Sequence, residues 1–153
     1  MDCSDDFDIR TFLPYMLNQA AEASSLRFQK VYKDRYGMLR TEWRVLFHLG
    51  MFGQMTAREI SLAAGLHKTK ISRAVQRLNE RRFVLRMRDA QDRRVEQLKL
   101  TASGRAAFED LRAVARAFDA ELTARLSAQD TKVLRRALHL LAQDGLAEAA
   151  EDA

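Results

Sequence analysis

Residues 9 to 32 place Ile9, Leu13, Met16, Leu17, Ala20, Ala23, Phe28, Val31 and Tyr32 at spacings near three and four. That period predicts one long amphipathic helix, with Pro14 in its first turn, where a missing N–H costs little, and Gly37 at its stop. Thr41 is then the expected cap of a second helix whose apolar positions are Trp43, Leu46, Leu49 and Phe52, ended by Gly53. Thr56 and Glu59 have the spacing of a capping box, in which each side chain bonds the other's free backbone N–H. The short helix they open turns Ile60, Ala63 and Ala64 inward and stops at Gly65, with Leu66 folding back over its last turn. A further helix, about Lys68 to Arg81, buries Ile71, Val75 and Leu78, and Ser72 is expected against the preceding helix. Two helices joined by a tight Gly turn, the second basic and amphipathic, make a helix-turn-helix.

After Arg82 the period changes to two. Phe83, Leu85 and Met87 alternate with Val84, Arg86 and Arg88, and further on Glu96, Leu98 and Leu100 alternate with Val95, Gln97 and Lys99. This predicts a β-hairpin with the polar tip Arg88-Asp89-Ala90-Gln91-Asp92-Arg93-Arg94, to which Gln54 to Thr56 can add a short third strand. Thr101 opens another long helix through about Arg125, with Ala107, Leu111, Val114, Phe118, Leu122 and Leu126 on one stripe. Ser127 opens the last, with Asp130 at its third position, Val133, Leu134, Ala137, Leu138 and Leu141 as its apolar face, and Gly145 where it decays. The stripes of the first helix and the last two are broader than one chain needs, because an isolated long helix cannot hide such a face by itself.

Composition narrows the class. The 153 residues contain six Gly and one Pro, which argues against an all-β or loop-rich protein, and no apolar run approaches the roughly 18 residues that cross a bilayer. The opening residues carry four Asp and no Lys or Arg before residue 9, unlike a signal peptide, and the lone Cys3 forms no internal disulfide, so a cytoplasmic location is expected. The formal charge of +5 is concentrated: residues 67 to 100 hold eleven bases and four acids, a net of +7, while the other 119 residues sum to −2. A positive excess gathered into one stretch that already reads as helix-turn-helix and hairpin is the footprint of a surface that neutralises phosphates. No nucleophile with a paired base, no apolar carboxylate pair and no phosphate-cradling Gly loop suggests catalysis. His48, His67 and His139 lack metal-ligand spacing, so neither metal nor cofactor is expected.

The helix order, the basic helix-turn-helix and above all Asp89-Ala-Gln-Asp92-Arg93-Arg94 followed by Leu98-Lys-Leu100-Thr101-Ala-Ser-Gly104 resemble the MarR (multiple antibiotic resistance regulator) family of winged-helix transcription factors, over roughly residues 10 to 145. The resemblance implies a mainly α chain with a small β-hairpin wing: a winged helix-turn-helix lobe at about residues 41–100, and dimerisation helices at about 9–36 and 101–146. It implies a homodimer that puts one helix of each subunit in a major groove and one wing over a minor groove, as a regulator, most often a repressor, modulated by a small aromatic or phenolic ligand. Two positions depart from the family pattern. His67 stands where Ser or Asp is usual, which leaves a weaker cap or passes that role to Thr69, and Arg82 lies where Gly commonly ends the recognition helix, which strains or reshapes that turn.

On such a helix only outward side chains near the N-terminal half reach base edges: Thr69, Lys70, Arg73 and Gln76, with Arg73 suited to guanine and Gln76 to adenine. Lys68 and Arg77 flank them and suit phosphates. In the wing, Arg86, Arg88, Arg93 and Arg94 are the candidate contacts, with Arg93 or Arg94 inserted in the minor groove, while Asp89 and Asp92 hold the neighbouring Arg side chains and shape the loop. Twofold symmetry predicts a pseudo-palindromic duplex site with half-sites about one helical turn apart. The resemblance further suggests a ligand pocket lined by Met16, Phe28, Trp43, Phe47 and His48, residues that ordinary core packing explains equally well. Two other functions use the same residues: a non-specific DNA-packaging protein built on the same basic patch, and a thiol-based redox sensor through Cys3, whose acidic surroundings disfavour a reactive thiolate.

Overall fold

Capping chemistry and apolar period set the elements, described for residues 7–151 in a computed structural model. Helix α1 is Leu13–Tyr36, α2 Arg40–Phe52, α3 Ala57–Ala64, α4 Lys68–Glu80, α5 Ala102–Thr123 and α6 Ala128–Glu151; strands β1 Met55–Thr56, β2 Val84–Arg88 and β3 Glu96–Leu100 form an antiparallel sheet in the order β1-β3-β2. The short strand expected near residues 54–56 is therefore present, Met55 opposite Leu98 and Thr56 opposite Gln97. The expected box forms at α3, with Glu59 N–H donating to Thr56 Oγ1 at 3.1 Å and Thr56 N–H to the Glu59 carboxylate at 2.7 Å. Thr101 and Ser127 cap α5 and α6 through the N–H groups of Gly104 and Asp130, each at 3.0 Å. Cys3 lies outside the described residues.

Several local expectations fail, each for a tertiary reason. Helix α1 starts at Leu13, leaving Ile9 in a turn before it, with Phe12 as N-cap. Thr41 does not cap α2: the helix begins one residue earlier, and Glu42, buried, takes the Leu39 N–H instead. Ala63 is exposed, and Ser61 is buried in its place because its hydroxyl reaches the Leu66 carbonyl at 2.6 Å. Ser72 faces solvent, while Ala74 turns into the core beside Val75. In β2 it is Val84 that packs inward and Leu85 that is exposed. Gly145 does not end α6, which runs on to Glu151.

The core gathers Phe28 and Tyr32 of α1, Val45, Leu46 and Leu49 of α2, Ile60 of α3, Ile71, Val75 and Leu78 of α4, Val84 and Leu98 of the sheet, and Phe108 and Leu111 of α5. Each large side chain contributes about 1.5–3 kcal/mol by leaving water. The outer helices are different. Leu13, Tyr15 and Met16 of α1, and Val133, Leu134, Leu138 and Leu141 of α6, remain exposed, and no described side chain of α6 is buried in the single chain. Among the described residues no helix is long and apolar enough to cross a membrane.

One junction positions the remainder. Helix α4 closes with Phe83 N–H donating to the Leu78 carbonyl at 2.9 Å and Arg82 N–H to Asn79 at 3.0 Å, a double bond pattern whose middle residue must be left-handed. That residue is Arg82, with φ 61°, so the family's glycine geometry is retained by an arginine at a steric cost of about 1–2 kcal/mol. The Phe83 carbonyl then accepts the Thr101 N–H at 3.0 Å, and the start of α5 lies so close that a Cβ on Gly104 would stand 2.0 Å from that oxygen.

Two outcomes follow from this junction. Arg82→Gly relieves the strain and raises the melting temperature in thermal unfolding by a few degrees, corresponding to about 1 kcal/mol for a chain of this size. Gly104→Ala forces backbone apart and lowers stability by about 1–3 kcal/mol in denaturant unfolding, despite alanine's better helix propensity.

Candidate nucleic-acid interface

Helix α4 is N-capped by His67, whose Nδ1 accepts the Thr69 N–H at 3.2 Å. The imidazole thus serves as the cap itself, and Thr69 is left free on the outer surface. Ile71, Ala74, Val75 and Leu78 anchor the helix, while Lys68, Thr69, Lys70, Arg73, Gln76 and Arg77 are all exposed, so every residue selected on this helix from the sequence shares its outer surface. Gln76 donates to Glu80 at 3.0 Å. Lys70, Arg73 and Arg77 line a groove of about 210 Å³ against Leu39 and Thr41 at the start of α2. Their spacing of three and four residues sets the cations on one side of the helix. Thr41, expected as a cap, instead edges this basic groove, a position that no local pattern reveals.

The wing is a five-residue ladder from Val84 opposite Leu100 to Arg88 opposite Glu96. Its tip is organised by carboxylates acting on backbone. Asp89 Oδ1 accepts the N–H groups of Gln91 at 2.8 Å and Asp92 at 3.4 Å, and Asp92 Oδ1 accepts that of Arg94 at 3.0 Å. These donors, Gln91 first, hold the Asp89 carboxyl below its ordinary range. Loop shaping by Asp89 and Asp92 is thus present, but the expectation that they hold Arg side chains is not met, since their oxygens are taken by N–H groups. Arg86 is paired with Glu96 at 2.5 Å across the hairpin. Arg88, Arg93 and Arg94 make no ion pair among the described residues and are exposed, as are Lys68, Lys70, Arg73 and Arg77.

The aromatic residues selected as a pocket separate into three places. Phe28, Trp43 and Phe47 do meet, with ring centroids 5.2 to 6.3 Å apart, but as a packed edge-to-face cluster with Phe108 behind it. His48 lies on the outer side of α2, its Nδ1–H donating to the Arg44 carbonyl at 2.7 Å. Met16 is three turns away from Phe28 along α1 and exposed, about 18 Å by helical rise, so it does not join the cluster. The open space is instead a cleft of about 160 Å³ between α1 and α5, lined by Phe28, Val31, Val114, Ala117 and Phe118. Arg27 and Glu121 pair across its mouth at 3.0 Å, with the guanidinium 5.3 Å over the Phe118 ring. Val114 and Phe118 were readable as an apolar stripe, but their partner helix was not.

Comparison with known proteins agrees with this geometry. The family model described as the MarR family matches residues 36–95, which span α2 through the wing tip. A solved MarR family transcriptional regulator of Silicibacter pomeroyi DSS-3, SPO1453, is 31% identical, with 89% of this chain and 99% of that one covered and a TM-score of 0.76. The Bacillus subtilis (strain 168) HTH-type transcriptional regulator YwoH is 24% identical over 88% of this chain and 97% of its own length. Bordetella bronchiseptica BpsR, whose DNA binding is regulated by 6-hydroxynicotinic acid, is 19% identical and shares the fold at a TM-score of 0.81, over 89% and 96% of the two chains. A basic helix capped and exposed for a groove, a wing tipped with unpaired arginines, and a relative this similar along nearly its whole length place the chain in the MarR family of DNA-binding winged-helix transcriptional regulators.

Proposed function

We propose that this regulator works as a homodimer, pairing through α1, α5 and α6, and that it reads a pseudo-palindromic operator as a repressor. The observation that carries the reading is the set of seven exposed cations on α4 and the wing, which no carboxylate of the described residues neutralises. Seven exposed cations gathered on one helix and the hairpin that follows it suit a polyanion as their counterion. Pairing of copies is supported by α6, whose apolar stripe has no cover within the chain. In the dimer Thr69, Lys70, Arg73 and Gln76 face bases, Lys68 and Arg77 face phosphates, and Arg88, Arg93 and Arg94 meet the minor groove. Arg86 stiffens the hairpin through Glu96.

The protein acts by binding rather than by catalysis, in the cytoplasm where its duplex is, and a small aromatic acid of the kind that regulates BpsR modulates it. The α1–α5 cleft is the site for it: Phe28, Val31 and Phe118 line it, and an aromatic carboxylate entering there takes the place of Glu121 on Arg27. A non-specific packaging role predicts no preference between an operator and bulk DNA, so competition between a sequence selected from random duplexes and bulk DNA distinguishes the two.

With about 6–10 phosphates neutralised per dimer, affinity for the selected duplex falls about 10³–10⁵-fold between 50 and 200 mM salt, measured by fluorescence anisotropy; a shallow dependence counts against the reading. Arg94→Ala weakens binding to many sequences alike. Arg73→Ala costs about 1–3 kcal/mol on the selected site and also relaxes preference at one base pair, seen by repeating the selection with the variant.

A further inference from the structure

At its C-terminal end, α1 is tied to α5 by a polar cluster. Tyr36 Oη donates to Asp110 Oδ2 at 2.6 Å, and Arg35 Nη1 reaches both oxygens of the same carboxylate at 2.9 and 3.1 Å. Three hydrogen bonds from two consecutive residues hold a single aspartate, partly buried against the Tyr36 ring. The Tyr36 ring also meets Phe83 edge-to-face at 6.1 Å, and Phe83 is the residue that closes α4 and opens the wing, with the Arg81 guanidinium 5.2 Å over its face. Asp110 is therefore two contacts from the end of the recognition helix.

The cleft between α1 and α5 adjoins this cluster. Val31 lines the cleft from α1 and Arg35 follows it by one turn; Val114 lines it from α5 and Asp110 precedes it by one turn. Residues four apart on a helix stand one above the other, so the clamp lies directly over the end of the cleft, on both helices. A body that spreads α1 from α5 at Val31 and Val114 stretches the Arg35 and Tyr36 bonds to Asp110 at one end of the cleft, as well as the Arg27–Glu121 pair at its mouth. Hydrogen bonds at 2.6 to 3.1 Å weaken steeply with displacement, whereas the Phe83 backbone, fixed by Leu78, Thr101 and the close approach of Gly104, transmits motion rather than absorbing it.

We infer that Arg35, Tyr36 and Asp110 form a clamp that couples the width of the α1–α5 cleft to the position of the recognition helix through Phe83, so that these are positioning residues for DNA recognition, although none touches DNA. The inference rests on the proposed DNA-reading function and deepens it, by assigning the path of its regulation.

The test is a double-mutant cycle in the full chain, on a duplex selected from a random pool by the wild-type protein. Ala117→Phe, at an exposed position of the cleft, serves as a built-in wedge, and Tyr36→Phe cuts the one bond that links Asp110 to the ring on Phe83, leaving the Arg35 bonds to Asp110 in place; Asp110→Asn is the second clamp variant. Each single change lowers duplex affinity at least fivefold with the melting temperature held within a few degrees. The combined variant binds no more than about twofold weaker than the weaker single one, because the wedge acts through a bond already broken. Losses that multiply, or a wedge or clamp variant that binds like wild type, overturn the inference. Should one variant unfold, the cycle is completed with Asp110→Asn in place of Tyr36→Phe, or with Ala117→Leu as the smaller wedge. If the wild-type protein enriches no sequence, it is the DNA-reading function that fails, a result separable from failure of the clamp.

Discussion

A single peptide, the carbonyl and amide of Phe83, carries the geometry of this molecule. Its N–H finishes α4, its oxygen receives the first N–H of the α5 junction, and its side chain is held between Tyr36 and Arg81. The recognition helix, the wing and the long helix that leads to α6 thus leave one point in fixed directions. Gly104 is required there by space, since even a methyl group would stand 2.0 Å from the Phe83 oxygen. The reading surface is exposed, and its orientation is determined by backbone hydrogen bonds that tie α4, the wing and α5 to one another.

Charge is distributed accordingly. Ion pairs join the long helices to one another, Arg27 with Glu121 and Arg35 with Asp110 between α1 and α5, and Arg135 with Asp119 between α6 and α5. Exposed pairs of this kind are worth little in stability individually, but they select which faces meet. On α4 and at the wing tip the same residue type is left unpaired, and the acids of the wing tip, Asp89 and Asp92, are spent on backbone N–H groups. The carboxylates next to a phosphate-binding surface are thus oriented into the loop, where they shape it without opposing a polyanion.

Much of this was legible in advance because it is local. Thr56 with Glu59, Thr101 and Ser127 cap helices through atoms two or three residues away, and the basic face of α4 follows from period alone. The errors lie where a position had two acceptable states and a distant partner chose. Leu85 and Val84 both suit a strand, and the phase was set by which face of β2 met the core. Ser72 and Ala74 both suit a helix, and Ala74 was drawn inward by packing. Thr41 is a good cap by type, but Glu42, buried by its neighbours, reached the free amide of Leu39 first. Phe28, Trp43 and Phe47 of α1 and α2 all suit a pocket wall, but their rings fill one another, leaving the opening beside α5.

From the sequence alone came the helix order, the hairpin, the cationic stretch and the family, since hydrophobic period, capping pairs and charge clustering act over a few residues and survive without a partner in space. Tertiary structure decided which arginines stay free, where the cleft opens, and that Tyr36, Asp110 and Phe83 meet. Those outcomes depend on side chains from separate elements, whose encounter is set by the packing of whole helices and strands and leaves no trace in local spacing.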